Sequence, residues 1–120
     1  MKETIETITN WHRDTFQDAG LIDQIIKFTE EMKEFDVALT SGQDALSELA
    51  DMIIVAAGIR RFDELFASAF VTFTYMEASD AGFDMTELWD AIQKKMEKNR
   101  KRVWNKTDNG TYHHEIGIED

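Results

Sequence analysis

The stretch ALSELADMIIVAAGI, residues 45–59, has only three polar side chains, Ser47, Glu48 and Asp51. A segment that is apolar almost all round suits a helix whose neighbours cover every side of it. It contains no proline, and neither does the rest of the chain, so no position loses a helical hydrogen bond for want of a backbone donor. Glu48 and Asp51 stand at i and i+3 and rise from one face about a turn apart. Isolated charge is costly to bury. This pair therefore needs cationic partners inside an otherwise apolar helix.

Upstream, residues 21–39 carry Leu21, Ile22, Ile25, Phe28, Met32, Phe35 and Leu39 at helical spacing, and Thr40-Ser41-Gly42 ends the pattern. Before that, residues 3–19 repeat the spacing through Ile5, Ile8, Trp11, His12 and Thr15 or Phe16, closed by Gly20. Downstream, residues 61–78 are mostly apolar and aromatic, with Phe62, Leu65, Phe66, Phe70, Val71, Phe73, Tyr75 and Met76. Their Val-Thr-Phe-Thr-Tyr centre has strand character, but a lone strand would have no partner. Ser79-Asp80-Ala81-Gly82 is a break. Asp84 then reads as an N-cap with Glu87 three residues on, and a last helix runs to about Val103. Residues 105–120 read as a polar tail with a turn at Asp108-Asn109-Gly110. The expectation is one all-α domain over residues 1–104, an up-and-down bundle of about five helices. The aromatic fourth segment has more apolar surface than one small bundle buries, which points to an oligomer.

The 120 residues suffice for one domain with a modest core. Without cysteine there is no disulfide framework, thiolate metal site or cysteine nucleophile. The longest apolar run, residues 52–57, is far short of the roughly 20 residues that span a bilayer. The start, MKETIETITN, lacks the apolar core of a signal peptide. A cytoplasmic protein without membrane contact is the expectation. Net charge is −11, unevenly spread: −13 over residues 1–90, +6 over 91–106 and −4 over 107–120. An acidic body repels nucleic-acid backbone, so duplex binding is not expected. The basic segment can neutralise neighbouring acidic helices, favour its own helix C-terminus, or hold an anion beside a metal.

A second acidic pattern, Glu30-Glu31-Met32-Lys33-Glu34, lies on the preceding segment. Taken alone, Glu and Lys on a helix usually make a solvated face. Beside Glu48 and Asp51 it means more, because two antiparallel helices joined by a short loop can bring the two faces together. Like charges crowded in low dielectric repel or take up protons. A hard divalent cation resolves that crowding, and Mg²⁺ prefers oxygen ligands and bridges to phosphates. A buried salt bridge to Arg60, Arg61 or the basic helix is the alternative. In the basic helix, Lys95, Asn99 and Arg102 share a face. Trp104 can stack on a base or cap the core. His12, His113 and His114 show no metal-ligand spacing, and no phosphate-binding glycine loop is present.

These residues resemble a known family. EEMKE, thirteen further residues and ELAD look like the EExxE…ExxD signature of the all-α NTP pyrophosphatases, the MazG-like superfamily. Trp11-His12-Arg13-Asp14-Thr15-Phe16 looks like the opening of many MazG-like domains. Lys95, Asn99, Arg102 and Trp104, then Gly110 and His113 or His114, look like the close of the dATP/dGTP pyrophosphohydrolase-type subgroup. The resemblance covers most of the chain outside about residues 60–82. It implies Mg²⁺-dependent hydrolysis of a nucleoside triphosphate, possible purine dNTPs included, to the monophosphate and pyrophosphate, with Mn²⁺ able to substitute. It implies Glu31, Glu34, Glu48 and Asp51 as metal ligands, and Glu30 or Glu34 as the group that handles the water. It implies Lys95, Asn99 and Arg102 at phosphate or sugar, Trp11 and Phe16 near the base, and a homodimer or homotetramer. Two other expectations stay open beside it: an acidic helical interaction module without catalysis, and a Ca²⁺- or Mg²⁺-binding bundle that serves structure only.

Overall fold

The computed structural model describes residues 2–102, 104–106 and 112–114. Five helices form: α1 (Ile5–Thr15), α2 (Leu21–Ser41), α3 (Ala45–Ile59), α4 (Glu64–Asp80) and α5 (Met85–Lys101). The chain is thus an all-α bundle, as the hydrophobic periodicity predicts. Side-chain caps mark most of the starts. Asp44, Asp63 and Asp84 each accept a hydrogen bond from the backbone N–H three residues on. The Asp84–Glu87 pair closes a full capping box. Gly42 ends α2 at φ 75°, a left-handed conformation that glycine adopts without strain.

Two helices differ from expectation in where they start or end. α1 covers Ile5–Thr15 rather than residues 3–19. Thr4 caps it, and Glu3 lies outside, forked by Arg100 at 2.7 and 2.8 Å. At the other end the Arg61 guanidinium donates to the Phe16 carbonyl at 2.8 Å, where the chain leaves the helix. α4 begins at Glu64 rather than residue 61, because residues 60–62 turn the chain out of α3 and Asp63 supplies the cap. The strand-like Val71–Tyr75 centre is helical.

α3 is the hub. It packs against α1, α2, α4 and α5, and eleven of its fifteen residues are buried. An up-and-down order accounts for its contacts with α2 and α4. The added packing of α1 and α5 makes it a central rod. Phe28 and Phe35 from α2, Ile8 from α1, and Leu88, Ile92 and Met96 from α5 complete the core around it. α1 approaches closely at Gly58, where a Cβ would sit 2.4 Å from His12 Cδ2. Only glycine fits there.

The segment read as a polar tail carries a short ribbon. Trp104–Lys106 pairs antiparallel with Tyr112–His114, with Trp104 opposite His114. The turn expected at Asp108-Asn109-Gly110 lies outside the described residues. Apolar side chains remain on the outside of α4 and α2: Leu65 is 81% exposed, Ile22 68% and Met76 60%. Among the described residues, no helix is long and apolar enough to cross a membrane.

Candidate functional site

One cleft, about 370 Å³ in volume, receives a stripe of side chains from each of four helices. α2 contributes Gln24, Lys27, Glu31 and Glu34, at i, i+3, i+7 and i+10. A rise of 1.5 Å per residue spreads them over about 15 Å. α3 contributes Asp51, Ile54 and Val55, α5 contributes Lys95 and Asn99, and Arg102 caps α5. Trp11, His12 and Phe16 come from α1 and the turn after it, and Trp104 follows α5.

The carboxylate end is crowded. One oxygen each from Glu31, Glu34 and Glu48 lies within 4.8 Å of the other two. Glu31 is buried, Glu48 half-buried and Glu34 exposed. Glu31 Oε2 and Glu48 Oε2 are buried with no hydrogen-bond partner among the described residues. Buried polar atoms are normally satisfied, so two orphan carboxylate oxygens on neighbouring glutamates are unusual. Burial, reinforced by the charge of Asp51, pushes Glu31 up to about 8 and Glu48 up to about 7. Burial likewise raises Asp51, against the pull of Lys95.

Two lysines answer part of this charge. Lys95 Nζ lies 3.3 Å from Asp51, and Lys27 Nζ lies 3.2 Å from Glu31. Burial pulls Lys27 down, but Glu31, with Glu30 and Glu34 behind it, outweighs that and the ammonium is held above its usual range. Neither Glu34 nor Glu48 has a cation at ion-pair distance among the described residues. The basic helix thus supplies the partner for Asp51, while Arg61 serves the end of α1.

The other end is aromatic. Phe16 packs edge-on against Trp11 and Trp104, with ring centroids 5.3 and 5.1 Å away. The Trp104 indole N–H donates to the Asn99 carbonyl at 3.2 Å. The Arg102 guanidinium lies 5.9 Å from the Trp104 ring centroid and donates to Asn99 Oδ1 at 3.1 Å. Beneath these rings sits buried His12, whose Nε2 is 2.9 Å from Gln24 Oε1 and whose Nδ1 is 3.2 Å from an Arg61 nitrogen.

Of the residues singled out in sequence, Trp11, Phe16, Glu31, Glu34, Asp51, Lys95, Asn99 and Arg102 all line this one cleft. Glu48 joins through the carboxylate cluster. Asp51 stands beside the cluster, on Lys95. Glu30 is exposed on α2 and is neither in the lining nor in the cluster. Three polar residues of the lining, Lys27, His12 and Gln24, were not singled out for the site, nor were the apolar Ile54 and Val55. Lys27 stands at i, i+4 from Glu31, a spacing that signals a pair. His12 stood beside Trp11 without any spacing to give it a role. Gln24 carried no signal, since glutamine on a helix resembles any solvated position. Comparison of the chain with protein-family models, with curated proteins and with solved structures finds no match in any of the three.

Proposed function

We propose that the protein is a Mg²⁺-dependent nucleoside triphosphate pyrophosphohydrolase, cleaving a (d)NTP, with purine dNTPs as first candidates, to the monophosphate and pyrophosphate. The observation that carries this reading is the polarity of the cleft. Three convergent carboxylates with two orphan oxygens lie at one end, and an aromatic cluster lies at the other.

The donor set suits a hard divalent cation. It is all oxygen, it includes buried atoms with no other partner, and its excess negative charge needs compensation. Glu31, Glu34 and Glu48 would hold the ion, with Asp51 beside them. Bound there, it would supply charge neutralisation at the phosphoanhydride. Lys95, on Asp51 and half-buried, can turn to a phosphate oxygen with a short swing of a flexible chain. Asn99 and Arg102 would meet phosphate or sugar between the two ends. Trp11, Phe16 and Trp104 would enclose the base. Glu34 is the better placed of the two candidate bases, since it is exposed and lies in the cluster, whereas Glu30 lies outside it. It would take the proton of the attacking water while the anhydride oxygen leaves with pyrophosphate.

An interaction module that mimics nucleic-acid charge would display its carboxylates. Glu31 is almost wholly buried, which favours the metal-site reading. The exposed apolar faces of α4 and α2 support self-association as a homodimer or homotetramer.

The test is incubation with Mg²⁺ and a panel of dNTPs and NTPs, with the products resolved. Pyrophosphate plus monophosphate is the expected outcome. Glu48→Gln and Asp51→Asn should each lower turnover by about 100-fold or more while far-ultraviolet circular dichroism stays helical. Release of single phosphate, no turnover on any nucleotide, or wild-type rates in both variants would overturn the proposal.

A further inference from the structure

We infer that Arg61 is a positioning residue for the aromatic end of the cleft: from the turn after α3 its guanidinium holds the C-terminal end of α1 and thereby fixes Phe16, the ring against which Trp11 and Trp104 pack. This rests on the nucleotide reading of the cleft.

A helix ends in carbonyls that no further turn satisfies. No left-handed glycine closes α1. Phe16 follows it at φ −116° and ψ 59°, and only its N–H turns back, to the His12 carbonyl. Arg61 brings donors from forty-five residues away. One guanidinium nitrogen lies 2.8 Å from the Phe16 carbonyl, 3.4 Å from the His12 carbonyl and 3.2 Å from His12 Nδ1. A second lies 3.5 Å from the Gln17 carbonyl. A planar fork reaches these acceptors together, whereas a lysine offers a single nitrogen on a flexible stem. The Phe62 ring lies against the guanidinium, with its centroid 4.6 Å from Cζ, and sets its plane. A cation is also the favourable charge at a helix C-terminus.

What Arg61 holds is the centre of the aromatic end. Phe16 is 6% exposed, and its ring centroid lies 5.3 Å from that of Trp11, 5.1 Å from that of Trp104 and 4.8 Å from that of His12. Its backbone has left the helix, so the helical ladder no longer fixes its carbonyl. The hydrogen bond from Arg61 does. A peptide free to rotate there would swing the ring, and a misplacement of about 1 Å caused far from the chemistry can cost about a hundredfold. Arg61 itself is not in the cleft lining. The carboxylate end takes its charge environment from elsewhere: Lys27 and Glu34 on α2, Asp51 on α3 and Lys95 on α5. Loss of Arg61 therefore loosens the nucleoside end and spares the cation end.

The test uses the full chain as wild type, Arg61→Met and Arg61→Lys. Each is titrated calorimetrically with MnCl₂ alone, and then with dAMP, dGMP, dCMP and dTMP in the presence of Mn²⁺. Circular dichroism checks folding, and the titrations are run below each melting temperature. Arg61→Met should bind the tightest wild-type monophosphate about tenfold more weakly or worse, with Mn²⁺ affinity held within about twofold of wild type. In turnover, KM should rise while kcat holds. A merely structural role would lower the melting temperature without this split. If Arg61→Met does not fold, Arg61→Lys, which keeps the charge and loses the fork, decides by the same two titrations, with a loss of about threefold expected. Undiminished monophosphate affinity, or Mn²⁺ affinity falling by the same factor, would overturn the inference. Wild type that binds none of the monophosphates would overturn it together with the nucleotide reading. Monophosphate binding without hydrolysis, weakened in Arg61→Met, keeps the positioning role and removes the reaction. Hydrolysis with an unchanged KM in Arg61→Met keeps the reaction and removes the positioning role.

Discussion

Glu31 joins deep burial to a carboxylate neighbourhood, and its titration should be visible in stability. Its pKa is about 8 in the folded protein against a usual 4.5. A raised folded pKa means that the folded state holds the proton more tightly. The resulting stability is present at low pH and is lost as pH climbs through the folded value. Glu48, at about 7, acts in the same direction. His12, at about 4, acts oppositely, but only as pH falls below its usual 6.5. Between pH 6.5 and 8.5 the glutamates should therefore dominate. Without metal, the melting temperature should fall across that window, and Mg²⁺ should restore it. Glu31→Gln should flatten the slope and stabilise the metal-free protein at pH 8.5 by about 1 to 3 kcal/mol. A flat wild-type profile would contradict this. At this scale the carboxylates of the cleft were legible, because i, i+3 carboxylates on an apolar helix need an explanation, whereas Lys27 was not. Gln24 and His12 were not either. His12 is tied to Gln24 and to Arg61, forty-nine residues beyond it, and no local pattern encodes such contacts.

At the scale of elements, the central helix was readable from composition alone, and the caps at Asp84 and Glu87 from their spacing. The ends of α1 and α4 were misplaced because a tertiary partner sets the first and a local cap the second. Arg100 holds Glu3 outside α1, and Asp63 starts α4 later than its apolar pattern begins. The ribbon of Trp104–Lys106 with Tyr112–His114 escaped notice because strands of three residues leave almost no periodicity to read. Helix-to-helix distance carries the next prediction. α1 and α3 touch at Gly58, with no room for a methyl group against the His12 ring. Gly58→Ala trades a favourable helix propensity for overpacking, and overpacking typically costs about 1 to 3 kcal/mol. Denaturant unfolding should show a lower midpoint with an unchanged slope. Because the displaced group would be His12, which lines the cleft, binding of the proposed nucleotide should weaken along with stability.

For the whole molecule, the apolar outer faces of α4 and α2 are the feature that one isolated chain leaves unexplained. Light scattering of the wild type should give a mass above that of one chain, and Leu65→Lys with Met76→Lys should return it to a monomer. A monomeric wild type would mean that these faces stay in water. The aromatic fourth segment pointed this way in sequence, although it could not show which of its side chains the bundle itself would take. Phe70 stacks on Phe28 at 4.5 Å, whereas Leu65 and Met76 remain outside.

The central position of α3 also decides how the molecule breathes. Outer helices can detach one at a time in partial openings, but α3 has a neighbour on every side, so its amides reach solvent only when most of the structure has come apart. Native-state hydrogen exchange should find the slowest amides in α3, with protection equal to the global unfolding free energy, and faster exchange along α4. Glu48 and Asp51 would then stand on the last segment to loosen. Their spacing would survive fluctuations that repeatedly open and close the walls around them.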